Sequence, residues 1–540
     1  MSLFKKAKTT DETTNTAETV ETAVTTTEKT RTKKGKRKKS QVIPIWKISL
    51  LLFFLILSTI ITALVFWALS SFKRVFMDEI LWHLKTSLKG TNADVIRSAT
   101  LVGAGCALLI LIPSLILLLK TRKKPRTGKI VYRTYQVVTS VILVTGLVAA
   151  YFGFHVKEMI RSHFMYSSFI EDEYVDPATV NITFPEKKRN LIFIYVESME
   201  MTFMDRENGG AFKENIIPEL TALSKENEDF SGESDIVNGG ISLPFTEWTM
   251  GAVFGTTSGL PLKTPLGHNG MIAKNKFFPG VTTLGDILEA EGYKNVLMMG
   301  SDSEFGGCSL YYEQHGNFEI LDYPYAKKAG LIPDDYHEWW GYEDEKLFEF
   351  AKDELLTLSA CDQPFQLVIQ TMDTHSEDGY KCHLCDDKFG KNKYANVINC
   401  SSRQIDSFVK WIQEQSFYEN TTIIITGDHP TMDTDFCDDV PKGYKHKVFT
   451  CIINPAAEPE DKNSFRVYST IDLFPTTIAA IGGSIEGERL GLGTNLFSSR
   501  ETLLEQYGHK KLKNKINLGS KLMDRMFDGK YHTKEKKSKP

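Results

Sequence analysis

An imbalance of charge is what this 540-residue chain most lacks: 64 Lys and Arg against 68 Asp and Glu leave a formal net charge of −4. Nothing in that balance draws the chain to a polyanion, and no nucleic-acid partner is expected. The average hides unlike parts. The first forty residues are rich in Thr and Glu and end in the basic run 31–39. They carry too little apolar surface to order themselves, and the globular remainder must lean acidic. An internal repeat is also missing, which excludes solenoids and propellers. Cysteine is sparse, eight in all, with Cys106 inside an apolar run and the other seven beyond it.

Three stretches lack charge altogether: 48–69, 101–119 and 137–154. Each approaches the ~20 residues that carry a helix across a bilayer. The first has neither the short core nor the small-residue cleavage site of a signal peptide, so it reads as a retained anchor. The 33–39 cluster and the basic residues Lys120, Arg122, Lys123, Lys124, Arg126, Lys129 and Arg133 belong on the cytoplasmic side. Three spans from an inside N-terminus place everything after Phe154 outside. The expected organisation is a basic tail (1–42), a transmembrane region (43–155), a connector (156–189), an extracellular catalytic domain (190–508) and a basic tail (509–540) that is solvated or frayed, with contact to anionic lipid heads or an anionic wall polymer as the alternative. Residues 75–88 suit a helix lying in the outer interface with Trp82 as its anchor, or a helix packed on the catalytic domain. In an oxidising compartment Cys382, Cys385, Cys400 and Cys437 are expected to form two disulfides; zinc is the alternative.

From Asn190 onward strand-like runs alternate with amphipathic stretches: helices over 217–224, 281–291, 343–358, 392–414 and 470–481, and strands at 295–300 and 447–454 besides those below. The rhythm predicts an α/β fold, a mostly parallel sheet flanked by helices. Three apolar strands share a property. Residues 421–427 run into Asp428 and His429, residues 191–196 into Glu197 and Ser198, and residues 365–370 into Thr371-Met372-Asp373-Thr374-His375. Ligands gather at the carboxyl ends of such strands, and an adjacent Asp and His are natural metal ligands. In Pro244-Phe245-Thr246-Glu247-Trp248-Thr249 a hydroxyl residue leads a helix-competent stretch. Such a Thr is ordinarily a cap, but a helix N-terminus also favours phosphate, and a hydroxyl beside a divalent cation can attack phosphorus.

In that order, the Glu-Ser strand end, the helix-leading Thr, the Thr-x-x-x-His segment and the Gly-Asp-His strand end resemble the extracellular domains of bacterial lipoteichoic acid synthases and phosphoglycerol transferases, within the alkaline phosphatase/sulfatase superfamily. The resemblance runs over roughly 190–495. Thr246-Glu247-Trp248-Thr249 followed by Gly259-Leu260-Pro261-Leu262 resembles the branch that transfers phosphoglycerol to glycans and departs from the Thr-Ser-Asp pattern of lipoteichoic acid synthases. The resemblance implies Glu197, Asp428 and His429 as metal ligands, Thr246 as the nucleophile that also touches the metal, with Thr249 the runner-up one turn later, and His375 as the group that orients the phosphate or protonates the leaving group. Two carboxylates, an imidazole and a hydroxyl suit Mn²⁺ or Mg²⁺; the resemblance implies Mn²⁺, with Mg²⁺ or Zn²⁺ open. The implied enzyme is a multi-pass protein of the bacterial plasma membrane. It would move glycerol phosphate from phosphatidylglycerol through a covalent threonine intermediate to a cell-surface glycan or glycerophosphate polymer. A phosphoethanolamine transferase and a non-catalytic lipid sensor are the alternatives; a sulfatase lacks its Cys/Ser-x-Pro/Ala-x-Arg pattern here. Asp373 and Glu377 are expected to orient His375, Ser301 and Asp302 to contact substrate hydroxyls, and Lys445, His446 and Lys447 to face an anion or solvent. Tyr311, Tyr312 and His315 suit sugar stacking or core packing equally.

Overall fold

The computed structural model describes residues 42–72, 74–86, 89–266 and 275–531. The basic cluster before the first span and the last residues of the C-terminal tail lie outside them. Helices α1 (Ile45–Ser71), α3 (Ala93–Thr121) and α4 (Pro125–Gly153) are each long and apolar enough to cross a membrane. They pack as a bundle in which Gly146 of α4 meets Thr62 of α1, whose hydroxyl bonds to the Ile142 carbonyl at 2.9 Å. Between the first two sits α2 (Met77–Lys85), and Val156–Phe164 forms α5 directly after the third.

Helix α2 decides between its two expected settings. Trp82 is buried, and its indole N–H donates to the Gly306 carbonyl at 3.1 Å while its ring packs edge-on to Phe277. The tryptophan is therefore a core residue of the domain that follows the third span, the expected outer domain, and not an interfacial anchor. An indole that finds both an apolar niche and a carbonyl in protein gains nothing from the headgroup layer.

The outer domain is built on a seven-stranded sheet: β1 (Asn190–Val196), β2 (Gly239–Gly240), β3 (Lys294–Met299), β4 (Glu319–Leu321), β5 (Phe365–Gln370), β6 (Thr421–Gly427) and β7 (Val448–Ile453), in the order β2-β7-β6-β1-β5-β3-β4. The four pairings from β6 to β4 are parallel; β7 and β2 are antiparallel at one edge. Alternate residues of β1 feed opposite faces. Leu191, Phe193 and Tyr195 enter one apolar core, Ile192, Ile194 and Val196 the other. Cover on both faces is why these strands read as continuous apolar runs.

Helix positions follow the sequence pattern closely. Asn392 caps α9 (Lys393–Gln413), after α6 (Pro218–Glu226), α7 (Thr249–Ser258) and α8 (Asp344–Ser359). Two segments differ from expectation. The connector contains α5 and a short helix at Phe169–Glu173. The C-terminal segment is not frayed over its described part: His509–Ile516 and Lys521–Phe527 are helical, and Leu512, Ile516, Leu522, Met523, Met526 and Phe527 are buried in the same core as β1. Its lysines lie on the outer face of an amphipathic helix, so composition alone misreads it.

Candidate active site

Parallel register builds the site. Val196 pairs with Gly427 at the ends of β1 and β6, so the next residues, Glu197 and Asp428, emerge side by side. Glycine is required at 427, because a Cβ there would meet the Met199 carbonyl at 1.9 Å. On the other flank, Thr371 at the end of β5 accepts from the Glu197 amide at 3.1 Å, and Thr374 donates to the Glu197 carbonyl at 2.5 Å. Ser198 adopts a left-handed φ of 54°. That turn lets its amide donate to Asp428 Oδ1 at 2.8 Å and its hydroxyl to Glu197 Oε1 at 2.7 Å.

Glu197, Asp428 and His429 converge, with one ligand atom of each within 4.8 Å of the others, and all three are buried. His429 Nε2 lies 3.3 Å from Asp428 Oδ2 and 3.6 Å from Glu197 Oε1. Its Nδ1 sits 3.0 Å from the Pro430 carbonyl, which assigns the proton to Nδ1 and leaves the Nε2 lone pair directed at the carboxylates. Glu197 Oε2 and Asp428 Oδ2 are buried with no hydrogen-bond partner. Burial and the neighbouring Glu197 push Asp428 up to about 7. Two desolvated carboxylates facing one lone pair are costly without a cation. The residues thus fit a divalent metal.

The two threonines have different fates. Thr246 is fully buried. Its hydroxyl donates to the Leu243 carbonyl at 2.9 Å and accepts from the Leu243 amide at 3.0 Å, closing a turn strained by Phe245 at φ 69°. Its other described hydrogen-bonding contact is with the Thr470 hydroxyl at 3.5 Å, and among the described hydrogen bonds none joins it to Glu197, Asp428 or His429, the ligands it is expected to accompany. Thr249, half-buried and first residue of α7, has its hydroxyl 3.5 Å from His429 Nε2. Trp248 before it offers no side-chain cap, so the first-turn amides of α7 have no such partner, a helix start of the kind that favours anions.

His375 is half-buried, with Nδ1 at 2.8 Å from the Ser376 carbonyl and its ring against Trp340 at 4.7 Å. Burial holds it below the usual imidazole range. Asp373 turns away from it, accepting from the Asp344 amide at 3.2 Å. Ser301 and Asp302 are held in local backbone structure, with no side-chain bond to the cluster among the described contacts: Ser301 bridges to Gly341, and Asp302 accepts from the Glu304 amide at 3.0 Å. His446 bonds to Glu200 at 2.6 Å and Lys447 to Asn238 at 2.9 Å. Tyr311, Tyr312 and His315 are core, His315 lying between Asp286 at 3.0 Å and the Phe277 carbonyl at 2.8 Å.

The cysteines do not form the expected pairs. All eight are free thiols, and Cys437 lies with Glu200 and His446, apart from the group formed by Cys382, Cys385 and Cys400. Sequence reasoning also missed the contribution of the anchor. Arg74 pairs with Glu247 at 2.6 Å. Glu79 of α2 is buried and pushed by that burial up to about 7, and it senses the charge of His429. An acidic residue in a loop between two spans carries no sequence signal of the surface it will meet.

A sulfatase family model matches residues 189–483, over half of the chain. The chain belongs to the sulfatase family. Among curated relatives of this sulfatase-family chain, phosphoglycerol transferase I of Escherichia fergusonii is 30% identical over 333 residues, covering 61% of this chain and 41% of that protein. The match thus spans about two fifths of that relative's length. Among solved structures, the integral membrane lipooligosaccharide phosphoethanolamine transferase A of Neisseria meningitidis aligns with a TM-score of 0.46 at 15% identity, covering 79% of this chain and 83% of that one. The lipoteichoic acid synthase LtaP of Listeria monocytogenes aligns with a TM-score of 0.45 at 15% identity, covering 62% and 82%.

Proposed function

We propose that this protein is a membrane-anchored, outward-facing, metal-dependent phosphotransferase that moves glycerol phosphate from phosphatidylglycerol to a cell-surface glycan or glycerophosphate chain, with Thr249 as the nucleophile. The observation that carries the reading is the accessible Thr249 hydroxyl, at a helix N-terminus and 3.5 Å from His429 beside two unpartnered buried carboxylates. The curated relative supplies the name of the transferred group. Family membership by itself does not require sulfate chemistry, since the stretch from Thr249 holds no residue that can become formylglycine in the required pattern.

Glu197, Asp428 and His429 would hold the cation; the oxygen-rich donor set suits Mn²⁺ or Mg²⁺, and the family resemblance favours Mn²⁺. When bound, it supplies the positive charge that lowers the pKa of a nearby hydroxyl and stabilises phosphoryl oxygens. Thr249 Oγ1 gives up its proton to solvent and forms the bond to phosphorus while the bond to the diacylglycerol oxygen breaks. That oxygen leaves with a proton from solvent. The amides of the first α7 turn hold the phosphoryl oxygens. An acceptor hydroxyl then attacks the glycerophosphoryl-threonine as the bond from phosphorus to Thr249 Oγ1 breaks; His375, kept neutral by its depressed pKa, takes the acceptor's proton and returns it to the departing Thr249 oxygen. Glycerol phosphate ends on the acceptor and Thr249 is restored.

A cavity of about 520 Å³ lies where the anchor meets the outer domain, lined in part by Arg74, Phe76, Arg161, Trp248, Lys510 and Lys513. Asp78, Glu158 and Glu247 line it too, Glu247 paired with Arg74, which leaves Arg161, Lys510 and Lys513 beside Phe76, Met77 and Trp248 as the groups that suit an anionic lipid headgroup arriving from the bilayer; Trp248 precedes the nucleophile in the chain. The test is mass spectrometry of the full-length protein after a single turnover with phosphatidylglycerol and Mn²⁺. A gain of one glycerophosphate on the peptide carrying Thr249 is expected. An adduct formed instead from phosphatidylethanolamine would move the donor to that lipid; no adduct from either would end the covalent mechanism.

A further inference from the structure

We propose that Cys382, Cys385 and Cys400 bind a zinc ion as thiolates and clamp the segment that follows His375 onto helix α9. Cys382 and Cys385 flank a short turn beyond β5, and Cys400 lies two turns into α9. Cys382 Sγ is 3.6 Å from Cys385 Sγ and 3.8 Å from Cys400 Sγ, and all three sulfurs lie within 4.8 Å of one another. A disulfide brings sulfurs to about 2.05 Å. A tetrahedral zinc ion with Zn–S bonds of about 2.3 Å sets its sulfurs about 3.8 Å apart, the bond length multiplied by the square root of 8/3. The spacing here is that of a tetrahedron's edge.

The surroundings suit thiolates. Gln404, one turn beyond Cys400, directs its side-chain N–H₂ at Cys400 Sγ (3.5 Å) and Cys382 Sγ (3.8 Å), the kind of donor that stabilises metal-bound sulfur. Cys382 and Cys400 are buried and Cys385 half-buried, so the group is closed on the protein side. Cys437 belongs to another group, so no fourth sulfur completes the site. His383, inside the Cys382–Cys385 turn, is exposed and outside the group whose ligand atoms lie within 4.8 Å of one another. Its Nδ1 lies 3.0 Å from Glu345 Oε2, and the fourth position falls to this imidazole turned inward or to water. Binding releases the thiol protons to solvent.

The clamp has a mechanical consequence. The segment it holds folds back on the catalytic loop, Gly379 N–H donating to the His375 carbonyl at 3.1 Å and Tyr380 N–H to the Asp373 carbonyl at 2.7 Å. Zinc would therefore fix the position of His375 from outside the site. The inference stands whether or not the phosphotransferase reading does.

The test uses full-length protein purified in detergent without chelator or added metal. Its zinc content is measured, and an organomercurial is then titrated against a zinc indicator. Mercury takes zinc from thiolates but not from a carboxylate–imidazole site. Expected is one equivalent of zinc released per chain, lost in Cys400→Ser, and a thiolate charge-transfer band on replacement with Co²⁺ that shifts in His383→Ala if the imidazole is the fourth ligand. No mercurial-released zinc overturns the proposal, whether non-reducing peptide maps then show a disulfide within the trio or three alkylatable thiols. Should Cys400→Ser fail to accumulate, the wild-type titration decides alone.

Discussion

Exchanging Thr246 and Thr249 separately for valine, which keeps shape and removes the hydroxyl, should split stability from chemistry. In Thr246→Val the Leu243 carbonyl still accepts from the residue-246 amide at 3.0 Å, but the Leu243 amide loses its acceptor in a fully buried turn. An unsatisfied buried donor costs about 1–3 kcal/mol. The variant should melt several degrees lower and still transfer glycerol phosphate. Thr249 makes one contact, of 3.5 Å, and is half-buried, so Thr249→Val should change stability by no more than about 0.5 kcal/mol. Its turnover should fall by orders of magnitude; deleting a protease nucleophile costs about 10⁶-fold. The assay pairs a thermal melt with release of diacylglycerol from labelled phosphatidylglycerol. Thr249→Val with normal turnover, or Thr246→Val with normal melting and no turnover, would refute the assignment of roles.

Three other expectations follow from the same geometry. Asp428 is pushed up to about 7 from 3.8 by burial and Glu197, so between pH 4 and 7 the folded metal-free state binds more protons than the unfolded one. Its stability must fall as pH rises through that window, by up to about 4 kcal/mol; melting in EDTA should show the slope, and Asp428→Asn or added Mn²⁺ should flatten it. Trp82→Ala removes a buried indole and its bond to Gly306, a loss of about 3–5 kcal/mol; protease should then cut faster within 74–92, whereas an unchanged rate would return Trp82 to the lipid interface. Deleting residues 509–531 uncovers the core that Leu512, Ile516, Met526 and Phe527 close, and leaves buried Lys263 without its Ile516 carbonyl at 2.8 Å; the truncated chain should fail to accumulate in the membrane fraction, and full recovery would mean the segment is dispensable.

Much of this was open to inspection along the chain because it depends on local rules. Uncharged runs of membrane-spanning length, apolar strands with helices between them, and Asp-His or Glu-Ser at strand ends each follow from the chemistry of neighbours in sequence, and parallel pairing of β1 with β6 then brings Glu197 beside Asp428 with no further information. Other matters depend on contacts between segments remote in sequence. Thr246 and Thr249 differ by three positions and share a residue type, but one hydroxyl is consumed by the turn at Leu243 and the other meets His429, 180 residues away. Trp82 is buried by residues more than 190 positions later, the basic C-terminal helices hide an apolar face, and three of four cysteines gather while Cys437 goes elsewhere. Sequence alone determined which side chains were available for the chemistry, because residue type and strand period are local properties. Tertiary structure decided which of them meet, because burial and hydrogen-bond occupancy are set by whatever part of the chain arrives from far away.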